Sequence, residues 1–324
     1  MRKALLSIAL AIAVYTAMVF VSDISKVRAA VSGLRPSFIP LMLLLPVGNY
    51  FFRFLKWDYF LRRVGTRLRP SRSAAVFVSG FSMTVSPGKF GELIKSCLLR
   101  DGEGIPLSRT SPVVVAERLT DLMSMVIIAC AGVALTGRGM ALPAVAAGVA
   151  FIALSVVFIR HGRLFEAALR LACRLGPVAR RREGLCSFRS GCSSLLDARS
   201  LAVSIPLGLV SWGMEAMVLV VAARSIGSSL DAGTALLAHS AGTIAGAVSM
   251  IPGGLGLTEL TLGGLLTTRL PVADATAITI LMRLATLWFA VCIGAVALAF
   301  TRRRRAPCGT REGPEAVRTG AGPA

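Results

Sequence analysis

The chain has 324 residues, 55% of them hydrophobic, and its 36 lysines and arginines against 16 acidic residues give a formal net charge of +20. Several apolar runs are long enough to cross a bilayer, which indicates a polytopic membrane protein. The arginines lie between and after those runs, as in the loops of membrane proteins, so the charge does not indicate a nucleic-acid partner. The seven cysteines are scattered and only two histidines are present, so we predict neither a metal site nor a cofactor.

The first apolar run, about residues 4–21, predicts an uncleaved membrane span. A cleaved signal peptide is the competing interpretation. However, the run is longer than the usual hydrophobic region of such a peptide, and the sequence that follows the run is a poor cleavage site because it contains Arg28. A second span is predicted at about 39–61. Further full spans are predicted at about 112–136, 140–160, 200–222 and 273–300.

Two pairs of apolar segments are each interrupted by a proline followed by glycine. They are 74–86 with 90–99, hinged at Pro87-Gly88, and 234–250 with 255–268, hinged at Pro252-Gly253-Gly254. Each segment is too short to cross a hydrocarbon core of about 30 Å. Non-helical backbone at membrane depth is tolerated where it is buried in protein or lines a cavity, so each pair predicts a re-entrant helical hairpin.

These elements together predict an all-α polytopic membrane protein with about six transmembrane helices and two re-entrant hairpins. They form a single transmembrane domain over residues 1–305. Residues 306–324 are rich in glycine, proline and arginine, and we predict that they form a disordered cytoplasmic tail.

The two hinges belong to a repeated pattern. Arg118 follows Pro87 by 31 residues and Arg283 follows Pro252 by 31 residues, so both pairs are offset by 165 positions. Each arginine also begins an Arg-Leu-x-x-Leu sequence. A duplicated half-protein with broken helices is typical of transport proteins. The predicted halves are residues 39–160 and 200–300, joined by a basic loop at 160–199.

Charge predicts the orientation of the chain. Arginines cluster after the second span, in the loop 160–199, which carries nine of them, and after the last span. These segments fall on one side, so the positive-inside rule places that side and both termini in the cytoplasm of a bacterial inner membrane. Three full spans separate the two hairpins, which would then enter from opposite sides as an inverted repeat. Part of the basic loop is either an amphipathic helix on the inner leaflet or an ordinary loop.

Ionisable residues inside the membrane are candidates for function. Arg118 and Arg283 occupy equivalent positions of the two repeats, and we predict that both bind substrate. Glu117 and Asp121 lie within one helical turn of Arg118 and can reach the same side of its helix. For these two carboxylates a structural ion pair that anchors the hairpin is favoured, with ion coupling as the alternative.

The helix starts after the two hinges are the second candidate element. Free N–H groups at a helix start suit a phosphate or carboxylate, so Gly88 and Gly253 are predicted to contact substrate, together with Lys89. Glu92 and Glu259 lie one turn further on and either anchor the hairpins or couple ions. The sequence contains no nucleophile elbow, phosphate loop or dinucleotide motif, so we do not expect an enzyme.

Four motifs resemble the transmembrane region of lysylphosphatidylglycerol synthases, a flippase-like family. They are residues 49–57 (NYFFRFLKW), 87–92 (PGKFGE), 117–121 (ERLTD) and 252–259 (PGGLGLTE). The resemblance implies an inner-membrane protein whose best-known relatives move an aminoacylated phospholipid between leaflets. Those relatives also carry a large cytosolic aminoacyl-transferase domain, and only 24 residues follow Phe300 here. A free-standing member that does not itself make the lysyl lipid is therefore expected.

The leading hypothesis is a translocase that moves an anionic phospholipid or a polyprenyl-linked lipid between leaflets. One alternative is a non-catalytic membrane subunit that recruits a glycosyltransferase or an acyltransferase through the basic surface at 160–199. A weaker one is a membrane-embedded transferase acting on polyprenyl phosphates, with Glu92 or Asp121 as the base. The sequence leaves the lipid, the energy source and the oligomeric state open.

Overall fold

A computed structural model describes residues 32–86, 91–137, 139–161 and 182–303, together with Ser25, Val27 and Arg28. These residues form an all-helical fold, as the sequence predicts. The helices are α1 (Ile39–Arg63), α2 (Pro70–Gly80), α3 (Ile94–Glu103), α4 (Leu107–Thr136), α5 (Leu142–Arg160), α6 (Arg182–Leu195), α7 (Ala198–Ser225), α8 (Ala232–Val248), α9 (Leu257–Leu266), α10 (Val272–Arg283) and α11 (Phe289–Arg303). A π-helical turn, Leu284–Trp288, joins α10 to α11.

Five helical stretches among the described residues are long and apolar enough to cross a membrane. They are Pro36–Arg63, Leu107–Thr136, Leu142–Ile159, Ala198–Ser225 and Val272–Thr301. Each coincides with a predicted full span. The predicted span at 4–21 and the tail at 306–324 lie outside the described residues. The chain is therefore a multi-pass membrane protein. The additional crossing at 4–21 stays a prediction.

Helices α1 and α7 pack side by side in antiparallel directions. Near one end, the backbone N–H of Arg35 donates to the carbonyl oxygen of Ser225 at 2.8 Å. In the middle, Asn49 donates to the carbonyl oxygen of Ser211 at 2.9 Å. At the other end, Arg63 lies 2.6 Å from Asp197. We call this last end, where α1 ends and α7 begins, the basic end of the bundle.

The first interrupted pair forms a hairpin whose two ends lie together. Arg72, in the first turn of α2, contacts Glu103, in the last turn of α3, with Nε and Oε1 2.9 Å apart. The chain therefore leaves and returns at the same end, which is the basic end because α1 ends and α4 begins there. The predicted segments 74–86 and 90–99 have different bounds in the structure, since α2 ends at Gly80 and α3 begins at Ile94. Residues 87–90 lie outside the described part.

The second pair forms a similar hairpin at the opposite end. Ser228, before α8, donates a hydrogen bond to Asp274, in the first turn of α10, at 2.5 Å. The break between α8 and α9 is a turn with positive φ at Gly253 (63°) and Gly254 (67°), a conformation that glycine adopts without steric strain. The helix after this break begins at Leu257 rather than at the predicted 255, because Glu259 caps it at Gly256.

The helices that follow the two hairpins match each other closely. The stretches Leu107–Thr136 and Val272–Thr301 both contain 30 residues and are offset by the same 165 positions as the hinges. Each begins directly after an extended proline, Pro106 or Pro271. The first stretch is a continuous α-helix, whereas the second contains the π-helical turn directly after Arg283. The span predicted at 273–300 is confirmed, and the π-helical turn lies within it.

The inner ends of the two hairpins approach each other. A Cβ at Gly253 would lie 3.3 Å from Val85, so the break of the second hairpin contacts the first hairpin just before its own break. Helix α11 also approaches the first hairpin closely, because Gly294 faces the backbone of Phe81 and Ser82 without a side chain between them. The segment just before the first break is thus in contact with both the turn of the second hairpin and α11.

The described part of the basic loop contains helix α6. It packs on α4, where Gly191 lies against Pro112, and its Cys192 and Leu195 are fully buried. Residues 162–181, which include the predicted amphipathic segment, lie outside the described part. Helix α6 therefore contacts protein on one face at the basic end, close to the ends of α5 and α7.

Candidate functional site

Arg118 lies 11 residues into α4, about 17 Å along the helix from the basic end. Its Nη2 is 2.9 Å from Oδ2 of Asp121, one turn later on the same helix. Its Nη1 donates to Oε1 of Glu92, which precedes α3, at 3.3 Å. The arginine therefore joins the first hairpin to α4, while 20% of its side chain remains exposed.

Asp121 is shared by cations from two helices. Besides Arg118, it accepts a hydrogen bond from Nζ of Lys56 on α1. Nε of Arg53, also on α1, lies 4.0 Å from Oδ2 of the same carboxylate. Because Lys56 and Asp121 are buried, each charge depends on the other for compensation.

Lys95 of α3 contacts two further buried carboxylates, Glu117 and Glu92. Its Nζ lies 2.6 Å from Oε2 of Glu117 and 3.5 Å from Oε2 of Glu92. The ammonium group also lies 4.5 Å from the ring centre of Trp57, a cation–π distance. Lys95 and Glu117 are almost completely buried. The sequence predicts an ion pair that anchors the hairpin for Glu117, and in the structure its partner is Lys95 of α3.

We call these seven residues the first charged centre. They are Arg53, Lys56, Lys95 and Arg118, with the carboxylates of Glu92, Glu117 and Asp121. Four positive and three negative side chains give a formal charge of +1 when all are ionised. The centre ties α1, α3 and α4 together, and its surplus charge is positive.

The second repeat has a simpler arrangement. Arg283 lies 11 residues into its 30-residue stretch, as Arg118 does, and its Nε is 2.7 Å from Oε1 of Glu259. Its Nη2 donates to the carbonyl oxygen of Gly253 at 2.8 Å. The other oxygen of Glu259 accepts from the N–H of Gly256 at 2.7 Å. Arg283 and Glu259 thus fix the break of the second hairpin, and their charges cancel.

A cavity of about 680 Å³ lies between the first charged centre and the ion pair of Arg283 and Glu259. Along α4 it runs from Ser111 to Met125, about 21 Å from near the basic end to the middle of the helix. Its charged lining comprises four arginines, Arg53, Arg118, Arg189 and Arg283, and two carboxylates, Asp121 and Glu215, while much of the remaining wall is apolar. Volume and lining suit a ligand with one anionic group and an apolar body.

The structure brings several predicted site residues to this cavity. Arg118, Arg283, Asp121 and Gly253 line it. Glu92, Glu117 and Glu259 are buried behind its wall, where they hold Arg118, Lys95 and Arg283. Gly88 and Lys89 lie outside the described residues. The helix start predicted at Gly253 lies at Leu257, so Gly253 contributes its carbonyl oxygen rather than an N–H group.

Sequence reasoning missed three cations of the first charged centre. Arg53 and Lys56 are three positions apart in a largely apolar span. This spacing places them on one face of a helix and would have identified them as candidates. Lys95 carries no comparable signal, because it lies in a short segment near exposed charges. Within the described ranges no group of three or more His, Cys, Asp or Glu side chains could hold a metal ion.

The fold and the site define a class: a multi-pass membrane protein with two interrupted helical pairs and charged side chains at the centre of the bundle. Within that class, the chain belongs to the family described as the lysylphosphatidylglycerol synthase TM region, whose profile matches residues 7–294. The match covers nearly the whole chain. No curated protein matches the chain. The family places the protein among membrane proteins of lipid synthesis or handling.

Proposed function

We propose that this protein moves a lipid with an anionic headgroup between the leaflets of a bacterial inner membrane, without catalysing a chemical reaction. The observation that carries the proposal is that Arg118 and Arg283, the equivalent arginines of the two repeats, line the same cavity. The family supports a role in lipid handling, and the translocation itself is our inference.

The relation of the two halves supports transport. The ends of the first hairpin meet at the basic end, and those of the second meet at the opposite end. If the basic end faces the cytoplasm, as the positive-inside rule predicts for both termini, the hairpins are re-entrant from opposite sides. Such an inverted repeat supplies two similar structures that can open the same site alternately to each leaflet.

The chemistry of the cavity fits a lipid. Guanidinium groups near the middle of the bundle provide hydrogen-bond donors for phosphate oxygens. The apolar wall includes Phe151 and Phe158 of α5, a helix with few buried residues and therefore broad contact with the membrane. A headgroup can thus be screened by protein while its acyl chains stay in an apolar environment. This arrangement removes much of the free energy needed to bring a charge into hydrocarbon.

Phosphate is the group that the candidate substrates share. An anionic phospholipid and a polyprenyl-linked lipid both present it at the end of a long apolar tail, and the arginines would recognise either. A translocation assay with each lipid class separates these two sources.

Translocation can be measured with the full chain reconstituted in phosphatidylcholine vesicles that contain a trace of fluorescent phosphatidylglycerol. Dithionite destroys the fluorescence of outer-leaflet label only, so protein-dependent loss beyond that fraction reports transport. We expect Arg118→Gln to slow transport about 10- to 100-fold, because a charged hydrogen bond is worth about 1.5–3 kcal/mol. The assay is run with and without an imposed pH gradient or membrane potential.

The matched control is Arg224→Gln, which removes an exposed arginine from the end of α7 and leaves the cavity intact. It should transport at the wild-type rate. Folded wild-type protein that moves neither fluorescent phosphatidylglycerol nor a labelled polyprenyl phosphate would contradict the proposal. That result would favour the alternative of a subunit that recruits a glycosyltransferase or acyltransferase, for which loss of the basic segment rather than of Arg118 should abolish function.

A further inference from the structure

We propose that the cavity has one phosphate subsite, between Arg53 and Arg118, and that Asp121 occupies it as an internal anion when no lipid is bound. The inference rests on the proposed function for its role in transport, but it concerns binding and is tested separately. It departs from the symmetric arrangement expected from sequence, in which Arg118 and Arg283 share the headgroup equally.

Arg53 is the first argument for the subsite. Its guanidinium lies between two aromatic rings, 5.4 Å from the centre of Phe81 and 5.2 Å from that of Trp212. The residue is only 7% exposed, lines the cavity and makes no hydrogen bond through Nε. Stacking fixes the plane of a guanidinium and leaves its edge free to donate. A buried, oriented arginine with an unused donor is suited to an incoming oxygen anion.

Arg118 faces the same space and is also incompletely satisfied. Its Nε and Nη2 make no well-aligned hydrogen bond, although Nη2 lies close to Asp121. It is the most exposed member of its ion-pair cluster, at 20% of the side chain. Nε of Arg283 also lacks a well-aligned hydrogen bond, but it lies 2.7 Å from Glu259, Nη2 donates to the carbonyl oxygen of Gly253, and only 10% of the side chain is exposed. We therefore assign Arg283 to the fixing of the hairpin and Arg118 to the ligand.

Asp121 stands between the two arginines. Its Oδ2 is 2.9 Å from Arg118 and 4.0 Å from Arg53, while Oδ1 accepts from Lys56. An arriving phosphate can replace Asp121 as the partner of Arg53 and Arg118, while Asp121 remains paired with Lys56. Among the described residues, four arginines and two carboxylates line the cavity, which leaves surplus positive charge for a singly charged phosphodiester. Competition with Asp121 weakens binding and speeds release, which a carrier needs.

Binding of dioctanoyl phosphatidylglycerol to the purified full chain in neutral detergent tests the subsite by titration calorimetry. We expect Arg53→Gln to weaken binding at least about tenfold, through loss of a charged donor. We expect Asp121→Asn to tighten it about tenfold, through loss of the competing charge. Arg224→Gln should bind as wild type does. Dioctanoylglycerol, which lacks phosphate, should not bind, and sn-glycerol 3-phosphate separates recognition of a free phosphate from that of a lipid.

Asp121→Asn leaves Lys56 buried beside a neutral group, so folding needs its own control. The double variant Lys56→Met with Asp121→Asn removes both charges of the pair and should also bind more tightly than wild type. Unchanged or weaker binding by both variants, each with a wild-type elution profile, would overturn the inference. Transport by wild type together with that result would refute the subsite and keep the proposed function. Arginine-dependent binding without any transport would refute the proposed function and keep the subsite.

Discussion

Replacing Lys95 with methionine should strongly destabilise the protein. Methionine can fill much of the space beside Trp57 and Phe77, but Glu117, whose Oε2 lies 2.6 Å from Nζ, would be left buried without its cation. Breaking a buried ion pair from one side costs about 3–5 kcal/mol. We expect Lys95→Met to lower the midpoint of thermal unfolding in detergent by many degrees and to reduce the monodisperse fraction.

The double variant Lys95→Met with Glu117→Gln separates charge from packing. It removes both members of the pair, so a large part of the lost stability should return, and the two changes should be strongly non-additive. Arg100→Met serves as the surface control, since its ion pair with Asp101 is exposed and worth little. If Lys95→Met alone unfolds at the wild-type temperature, the buried cluster does not stabilise the bundle as described.

Gly294→Ala is the second change with a large expected effect. A Cβ at this position would lie 2.2 Å from the backbone nitrogen of Ser82 and 2.6 Å from the carbonyl carbon of Phe81. Both are backbone atoms of the first hairpin and cannot move aside as a side-chain end could. Overpacking typically costs about 1–3 kcal/mol, and here it would also displace Phe81 from Arg53. We expect a clear fall in thermal stability and weaker phospholipid binding.

Two other glycines provide matched controls for the same substitution. Gly213 on α7 and Gly264 on α9 have no atom within 4 Å of an added Cβ. Alanine is favoured over glycine in a helix by about 1 kcal/mol, so Gly213→Ala and Gly264→Ala should be neutral or slightly stabilising. Equal stability of all three variants would show that α11 does not approach the first hairpin as closely as the structure indicates.

The helical fold is largely readable from the sequence, because long apolar runs and proline-glycine breaks have direct physical consequences. The span predicted at 39–61 is α1, Ile39–Arg63, and the offset of 165 positions recurs in the bounds of the two 30-residue stretches. The π-helical turn after Arg283 was not predictable. Within this turn the carbonyl oxygen of Thr286 accepts a hydrogen bond from Tyr50 at 3.2 Å, a tertiary contact that sequence spacing does not reveal.

The candidate site was only partly predictable from sequence. A repeated arginine in an apolar helix can be recognised from the sequence as a candidate site residue, since a charge there needs compensation. The identity of the compensating group does not follow from spacing, because it lies on another helix. Glu117 pairs with Lys95 rather than with its neighbour Arg118, and Asp121 gains two partners from α1. The pairing of these charged side chains is determined by how the helices pack.

We infer that arginines in this cavity hold the anionic headgroup of a lipid. Mass spectrometry of the lipids that co-purify with the full chain in mild detergent tests it directly, for wild type, the Arg53→Gln, Arg118→Gln double variant and Arg224→Gln. Our account predicts that one phosphate-bearing lipid class is enriched over the bulk membrane with wild type and Arg224→Gln, and that a folded double variant loses the enrichment. The same bulk lipid composition with all three proteins would contradict it.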